Sequence, residues 1–248
     1  MSGMETILLE GTLSCKAMIE THPGRTRILY TDEKKRTRDF SWIIRKAREA
    51  GIPVMPCSRK TLDERSGSKS HGGMLLETEP VQIPELKKTG THAGFVCYVE
   101  GVEDPHNLGS VCRTLYAAGC TLLVLPARNW DAVQPVVMRA SAGTFARLSV
   151  ACVQRPEDLT GWMQSAGIPI LCAERKDARP VFGFDWPASF CLCIGGALRG
   201  LSRTVTDAAA QNLYIPYLSD MKAALDTPSA AAVFAFAYAG EQYEAEHK

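Results

Sequence analysis

Apolar residues recur along the chain in short dense runs, and between the runs they return at helical spacing. In the first third, 26–31 (TRILYT) predicts a strand, 40–51 (FSWIIRKAREAG) an amphipathic helix closed by Gly51, and 52–56 (IPVMP) a second strand. A strand, a helix and a strand in succession predict the parallel pairing of a small α/β unit. Small polar residues over 66–73 (SGSKSHGG) predict a loop, and 74–78 (MLLET) a further strand. Residues 79–92 carry Pro80 and Pro84 and no sustained period, which marks a linker.

Beyond Ala93 the runs become almost continuously apolar. Residues 95–100 (FVCYVE), 121–125 (TLLVL), 148–153 (LSVACV), 168–173 (IPILCA), 190–195 (FCLCIG) and 212–216 (NLYIP) predict strands. Helices are predicted over 108–118, near 133–140, over 157–166 and over the Ala-rich 228–244. Strands without an exposed polar face, alternating with helices, predict a parallel sheet covered on both sides. The expected division is a small α/β domain over 1–85 and a larger one over 93–248, joined through the Pro-containing segment.

Composition narrows the class. With 46% hydrophobic and 22% charged residues among 248, the chain reads as globular rather than disordered. No apolar run approaches the ~18 residues of a membrane span, and no basic stretch precedes an apolar one at the N-terminus as in a secretory signal. The net charge of +1 conceals an asymmetry: residues 1–90 hold 16 Lys and Arg against 12 Asp and Glu, net +4, and the remainder is net −3. The first part is therefore the better candidate for meeting a polyanion, with the run 34–38 (KKRTR) either touching phosphates or forming a solvated loop. The nine cysteines are odd in number and form no CxxC, so they read as reduced buried thiols of a cytoplasmic protein, and no metal site is expected. Cys191 and Cys193 alternate, which puts both on one face of a strand.

Three segments follow predicted strands, where α/β sheets place their ligands. In 101–110 (GVEDPHNLGS), Asn107 is expected at a helix N-cap. Leu108, Val111, Cys112 and Leu115 then share one helix face, and Arg113 stands about 200° from Val111, pointing away from the core. Taken alone, these are a cap and a solvated cation. In 194–202 (IGGALRGLS) a strand runs into Gly195, Gly196 and Gly200, which suits close backbone approach to a ligand. The glycines do not make GxGxxG, so a dinucleotide enzyme is weakly indicated. Residues 215–229 (IPYLSDMKAALDTPS) read as a loop leading into the last helix, with Pro228 in its first turn. Trp42, Phe234, Phe236 and Tyr238 suit core or dimer packing, and His71 a structural turn.

Together the three segments resemble the motifs of the SpoU (TrmH-type) RNA 2′-O-methyltransferases. EDPHNLGSVCRTLYAAG (103–119) is similar to the first motif, IGGALRGLS to the second and IPYLSDMKAALDTPSAAA to the third, with RASAG (139–143) resembling a segment between the first two. The resemblance covers 95–240. More loosely, the N-terminal part resembles the substrate-binding domain often fused to these enzymes. The resemblance implies a SPOUT fold, a parallel sheet whose C-terminal part forms a trefoil knot, an exception to the usual unknotted chain. It implies an S-adenosylmethionine pocket lined by Gly195, Gly196, Gly200, Ile215 and Leu225, mostly through backbone groups. It further implies a homodimer, rRNA or tRNA as substrate, no membrane, and Asn107 and Arg113 acting at the target nucleotide.

The chain departs from the resembled pattern at three polar positions. Ala197 stands where motif two carries glutamate, and Ala224-Leu225-Asp226 where motif three carries Ser-Leu-Asn, after one extra residue. An alanine offers no side-chain hydrogen bond, and an ionised aspartate only accepts. Asp226 is accordingly a candidate base for the ribose hydroxyl. Two readings follow: an S-adenosylmethionine-dependent RNA 2′-O-methyltransferase, or a relative that binds RNA or cofactor without transferring the methyl group.

Overall fold

In the computed structural model, which describes residues 6–66, 69–90, 92–196 and 199–247, the chain folds as two compact units. The first runs to Gln82 and takes in Asn129–Arg147; the second is Ile83–Arg128 and everything from Leu148 onward. The chain thus leaves the second unit once after the expected linker and returns to it.

The first unit opens with β1 (Ile7–Glu10) and α1 (Thr12–Thr21), followed by β2 (Thr26–Asp32), α2 (Arg38–Glu49), β3 (Val54–Cys57), α3 (Arg59–Ser66) and β4 (Met74–Thr78). The sheet order is β1-β4-β2-β3. Only β2 and β3 are parallel, as the intervening α2 requires; β4 pairs antiparallel with both β1 and β2. The wholly parallel pairing expected here is corrected to a mixed sheet. α2 buries Phe40, Ile43 and Ala47 and turns Arg45 and Arg48 outward, and Thr37 caps it by accepting the Phe40 N–H. β1, α1 and α3 were missed because their apolar residues are few or unevenly spaced.

His71 is fully buried in the turn before β4. Its Nδ1 accepts the Gly73 N–H at 3.1 Å, which leaves Nε2 to donate to Asp63 Oδ1 at 2.8 Å. That bond holds the Asp63 carboxyl below its ordinary range. The histidine thus ties the end of α3 to the turn, a structural role as its sequence context suggests.

The excursion at 129–147 carries α5 (Gln134–Ala140) and the RASAG segment. Gln134 is buried and reaches Val81 twice, accepting its N–H and donating to its carbonyl, each at 2.8 Å. Arg139 pairs with Glu10 at 3.1 Å. Gly143 has φ +84, and a Cβ there would lie 2.6 Å from Leu13 O and 2.7 Å from Ala17 Cβ. RASAG is therefore read here as a tight seat against α1, which only glycine allows.

The second unit holds β5 (Phe95–Glu100), α4 (Pro105–Ala117), β6 (Leu122–Pro126), β7 (Val150–Val153), α6 (Pro156–Ser165), β8 (Ile170–Ala173), β9 (Ala178–Pro180), β10 (Phe190–Gly195), α7 (Arg203–Asp207), β11 (Gln211–Tyr214) and α8 (Thr227–Glu246). Its seven strands, in the order β7-β6-β5-β10-β8-β11-β9, pair in parallel throughout. The direction of progress reverses between β5 and β10, the kind of switch point at which open α/β sheets bind ligands. β5 and β10 are buried on both faces, as their continuous apolar runs predict. Phe95 and Phe190 stack at 5.1 Å, and Tyr238 of α8 meets both edge-on at 5.3 and 5.0 Å. Phe236, by contrast, is exposed. Cys191 and Cys193 share a face, their sulfurs 3.8 Å apart. Eight cysteines are buried, and burial pushes the thiols of Cys97, Cys112 and Cys193 well up, so they pack as small apolar groups. Among the described residues no helix is long and apolar enough to cross a membrane.

Gly143→Ala is expected to destabilise the protein by about 2–4 kcal/mol in urea unfolding, because it adds positive-φ strain to overlap with backbone. Unfolding within 0.5 kcal/mol of wild type would show that α1 yields freely at this contact.

Candidate active site

β5 and β10 run in register from Phe95 beside Phe190 to Glu100 beside Gly195. They deliver the segments that follow them, 101–110 and 196–202, to the same end of the sheet. There the backbones cross with no room for a side chain. A Cβ on Gly195 would overlap the backbone of Gly200 and Leu201, and one on Gly196 would overlap the Gly101 carbonyl. Two hydrogen bonds hold the crossing: the Gly200 N–H to the Gly196 carbonyl at 2.8 Å and the Ser202 N–H to Glu100 Oε2 at 2.8 Å. Steric need at a chain crossing thus explains Gly195 and Gly196, and a φ of +65 explains Gly200.

Beside the crossing lies a cavity of about 220 Å³. Gly195, Gly196, Gly200, Ile215 and Leu225 all line it, so the second and third segments, far apart in sequence, converge on one site, while the first meets it only through the Gly101–Gly196 approach. Ala173, Glu174 and Arg175 enter from the end of β8, Tyr217 from the loop after β11, and Ala230 and Phe234 from α8. Thr227 Oγ1 donates to the Gly195 carbonyl at 3.3 Å and fastens the start of α8 to the end of β10. The walls are largely apolar side chains and bare peptide groups. Such a lining suits a flat heteroaromatic ring and its sugar, with peptide groups for the polar edges. Glu174 adds an acceptor for a cationic group. These residues fit S-adenosylmethionine.

Asn107 and Arg113 are both exposed on α4 and do not line the cavity. α4 starts earlier than predicted, at Pro105, because Asp104 is the N-cap: its Oδ1 accepts the His106 N–H at 3.0 Å. The expected cap at Asn107 is corrected, and Asn107 sits within the first turn with its side chain free of the capping role. Leu108, Val111, Cys112 and Leu115 are buried as their spacing predicts, which turns Arg113 outward.

Asp226 is the N-cap of α8. Its Oδ1 accepts the Ser229 N–H at 2.7 Å, and this bond holds the carboxyl below its ordinary range. The position was singled out for chemistry, and its capping role follows from the Asp-Thr-Pro-Ser order, a helix-start signal. Ala224 lines the cavity and offers it only a methyl group. Ala197 lies outside the described residues. Glu174, Arg175 and Tyr217 escaped notice because they fall outside the three motifs or within a mixed loop.

The profile of the SpoU rRNA Methylase family matches residues 94–236, and that of RNA 2′-O ribose methyltransferase substrate binding matches residues 8–84. Among curated relatives, the 23S rRNA (guanosine-2′-O-)-methyltransferase RlmB of Pseudomonas putida is 23% identical over 82% of this chain and 83% of its own. Among solved structures, the SpoU methyltransferase AviRb from Streptomyces viridochromogenes in complex with AdoMet superposes with a TM-score of 0.78 at 19% identity, covering 96% of this chain and 91% of that one. The AdoMet-bound rRNA methyltransferase from Sinorhizobium meliloti gives a TM-score of 0.78 at 19% identity over 95% and 87%.

Asp226→Ala is expected to cost about 1 kcal/mol of stability at neutral pH, the usual worth of an N-cap, and Asp226→Asn to cost little because asparagine caps as well. The folded carboxyl titrates below its unfolded value, so the stability it adds is fully present above about pH 4 and is lost as pH falls through the folded value. Urea unfolding at neutral and acid pH checks both. Equal losses for the two variants would remove Asp226 from the cap.

Proposed function

The chain belongs to the SpoU rRNA methylase family and is an S-adenosylmethionine-dependent RNA 2′-O-methyltransferase acting on rRNA or tRNA; we propose which of its residues do this and how. The observation that carries the assignment of the site is the convergence of Gly195, Gly196, Gly200, Ile215 and Leu225 on one cavity beside a glycine-only crossing. This cavity holds the cofactor, chiefly through peptide groups. That design tolerates Ala224, since backbone donors and acceptors survive a change of side chain.

Bound S-adenosylmethionine supplies a methyl group on a positively charged sulfur. The protein's task is to place a ribose oxygen in line with it and to stabilise that oxygen as its proton passes to solvent water. The Arg113 guanidinium offers hydrogen-bond donors and no acceptor, so its part is not that of a base. Its guanidinium holds the phosphate beside the target ribose and faces the charge that develops on the oxygen. Asn107, which both donates and accepts, orients the ribose. Asp226 is assigned to the cap of α8, since a carboxylate held low is a weak base.

The first unit matches the substrate-binding profile and carries the basic excess of the chain, and we assign it RNA capture. The C-terminal part of the second unit is proposed to form a trefoil knot, in keeping with its β10-β8-β11-β9 strand order. The protein is proposed to work as a homodimer, for which exposed Tyr116 on α4 and Phe236 and Tyr243 on α8 offer apolar surface. A cytoplasmic setting suits the free cysteines.

Titration calorimetry with S-adenosylmethionine and tritiated methyl transfer to total RNA test the reading. The intact protein is expected to bind the cofactor and label RNA at ribose. Arg113→Ala is expected to lose about 10²–10³ in transfer rate, as when a charge-stabilising donor is removed, with cofactor affinity unchanged. Asp226→Asn is expected to stay within about twofold of wild type, as a capping role requires. Cofactor binding without label on any RNA would overturn the enzyme, and a large loss in Asp226→Asn would return the base to that residue.

A further inference from the structure

The cavity wall contributed by 215–226 poses a mechanical question. These residues form neither helix nor strand, yet Ile215, Tyr217, Ala224 and Leu225 all face the cavity. Leu218 on the same loop is wholly exposed and Met221 partly so, and apolar residues left in water do not anchor a loop. The serine of the resembled third motif is here Ala224, which cannot tie the loop down.

Arg175 does. It follows β8 by two positions, and β8 is hydrogen-bonded on both sides, to β10 and β11. The Arg175 guanidinium donates from Nη1 to the Lys222 carbonyl at 3.2 Å and from Nη2 to the Ala223 carbonyl at 3.4 Å. The same group lies over the Tyr217 ring, 4.5 Å from its centre. Tyr217 in turn accepts the Leu225 N–H on its hydroxyl at 3.1 Å. The two limbs of the loop are thus closed on each other through one side chain from the sheet. Two successive carbonyls and an aromatic face match a planar fork of donors; a lysine ammonium can meet only part of that set.

We propose that Arg175 and Tyr217 are positioning residues for the cofactor, a clamp that sets the 215–226 wall of the cavity before the cofactor arrives. The proposal rests on the reading of this cavity as the S-adenosylmethionine site. A preset wall lowers the ordering cost of binding, so its effect belongs to cofactor affinity and not to the transfer step.

The test uses the full chain and S-adenosylmethionine. Arg175→Ala is expected to raise both Kd and KM for the cofactor about tenfold, with kcat at saturating cofactor and KM for RNA within about twofold of wild type. Arg175→Lys is expected to recover little of the loss. Tyr217→Phe keeps the ring and removes the acceptor, and is expected to raise Kd about threefold, with the double variant no worse than Arg175→Ala because one unit is being broken. Hydrogen exchange in the cofactor-free protein is expected to speed about tenfold at the Leu225 amide in both single variants. Should Arg175→Ala fail to fold, Arg175→Lys and Tyr217→Phe carry the same readouts. Unchanged cofactor affinity in these variants, or a fall in kcat with KM for the cofactor unchanged, overturns the clamp, while the wild-type protein's own binding keeps the site. Absence of cofactor binding by the wild-type protein at millimolar concentration overturns the site and the clamp together, and unchanged exchange at Leu225 overturns the clamp alone.

Discussion

The backbone crossing at the end of β5 and β10 is the constraint on which the rest of the second unit depends. Gly101 approaches Gly196, and Gly195 approaches Gly200 and Leu201, at separations that exclude a β-carbon. Together with the β5–β10 ladder and the Ser202–Glu100 bond, these approaches set the motif after β5 beside the motif after β10. Once the crossing is made, the last peptide groups of β10 face a cavity instead of a neighbouring strand, and Thr227 can bond the Gly195 carbonyl and start α8 there. The cavity is thus a by-product of where the chain must cross itself. This accounts for a pocket in which bare peptide groups stand among apolar side chains.

Such a pocket separates two kinds of residue that motif reading tends to merge. Those that hold the cofactor need only be small or apolar. Those proposed to act on the ribose must bring charge or a hydrogen bond, and Arg113 and Asn107 stand exposed on α4. The losses at Ala224 and the change at Asp226 fall in the first group. One removes a side chain that the peptide groups can do without, and the other keeps a helix cap in a different chemical form. The loop that carries Ala224 is bonded to Arg175, just past β8, and closed on itself through Tyr217.

The first unit shows a different economy. It has a four-stranded mixed sheet, and its core is completed by a segment from much later in the chain. Gln134 bonds both polar groups of Val81, and Gly143 seats against α1, so 129–147 supplies contacts that the first 82 residues lack.

The sequence by itself determined the buried strands and the longer helices of the second unit, since buried parallel strands need unbroken apolar runs, but not the short β9 and α7, which carry no such run. It also showed the family, because motif order survives in the chain even at low identity. It did not reveal that Asp104 rather than Asn107 caps α4, since both residue types cap well and only the fold selects the start. β1, α1 and α3 were invisible for want of a clear period. Tertiary structure alone decided that RASAG packs on α1 and that Arg175 reaches a loop 47 residues away. Each of these depends on contacts between residues distant in sequence, and local pattern carries no record of which distant partner a polar group will meet.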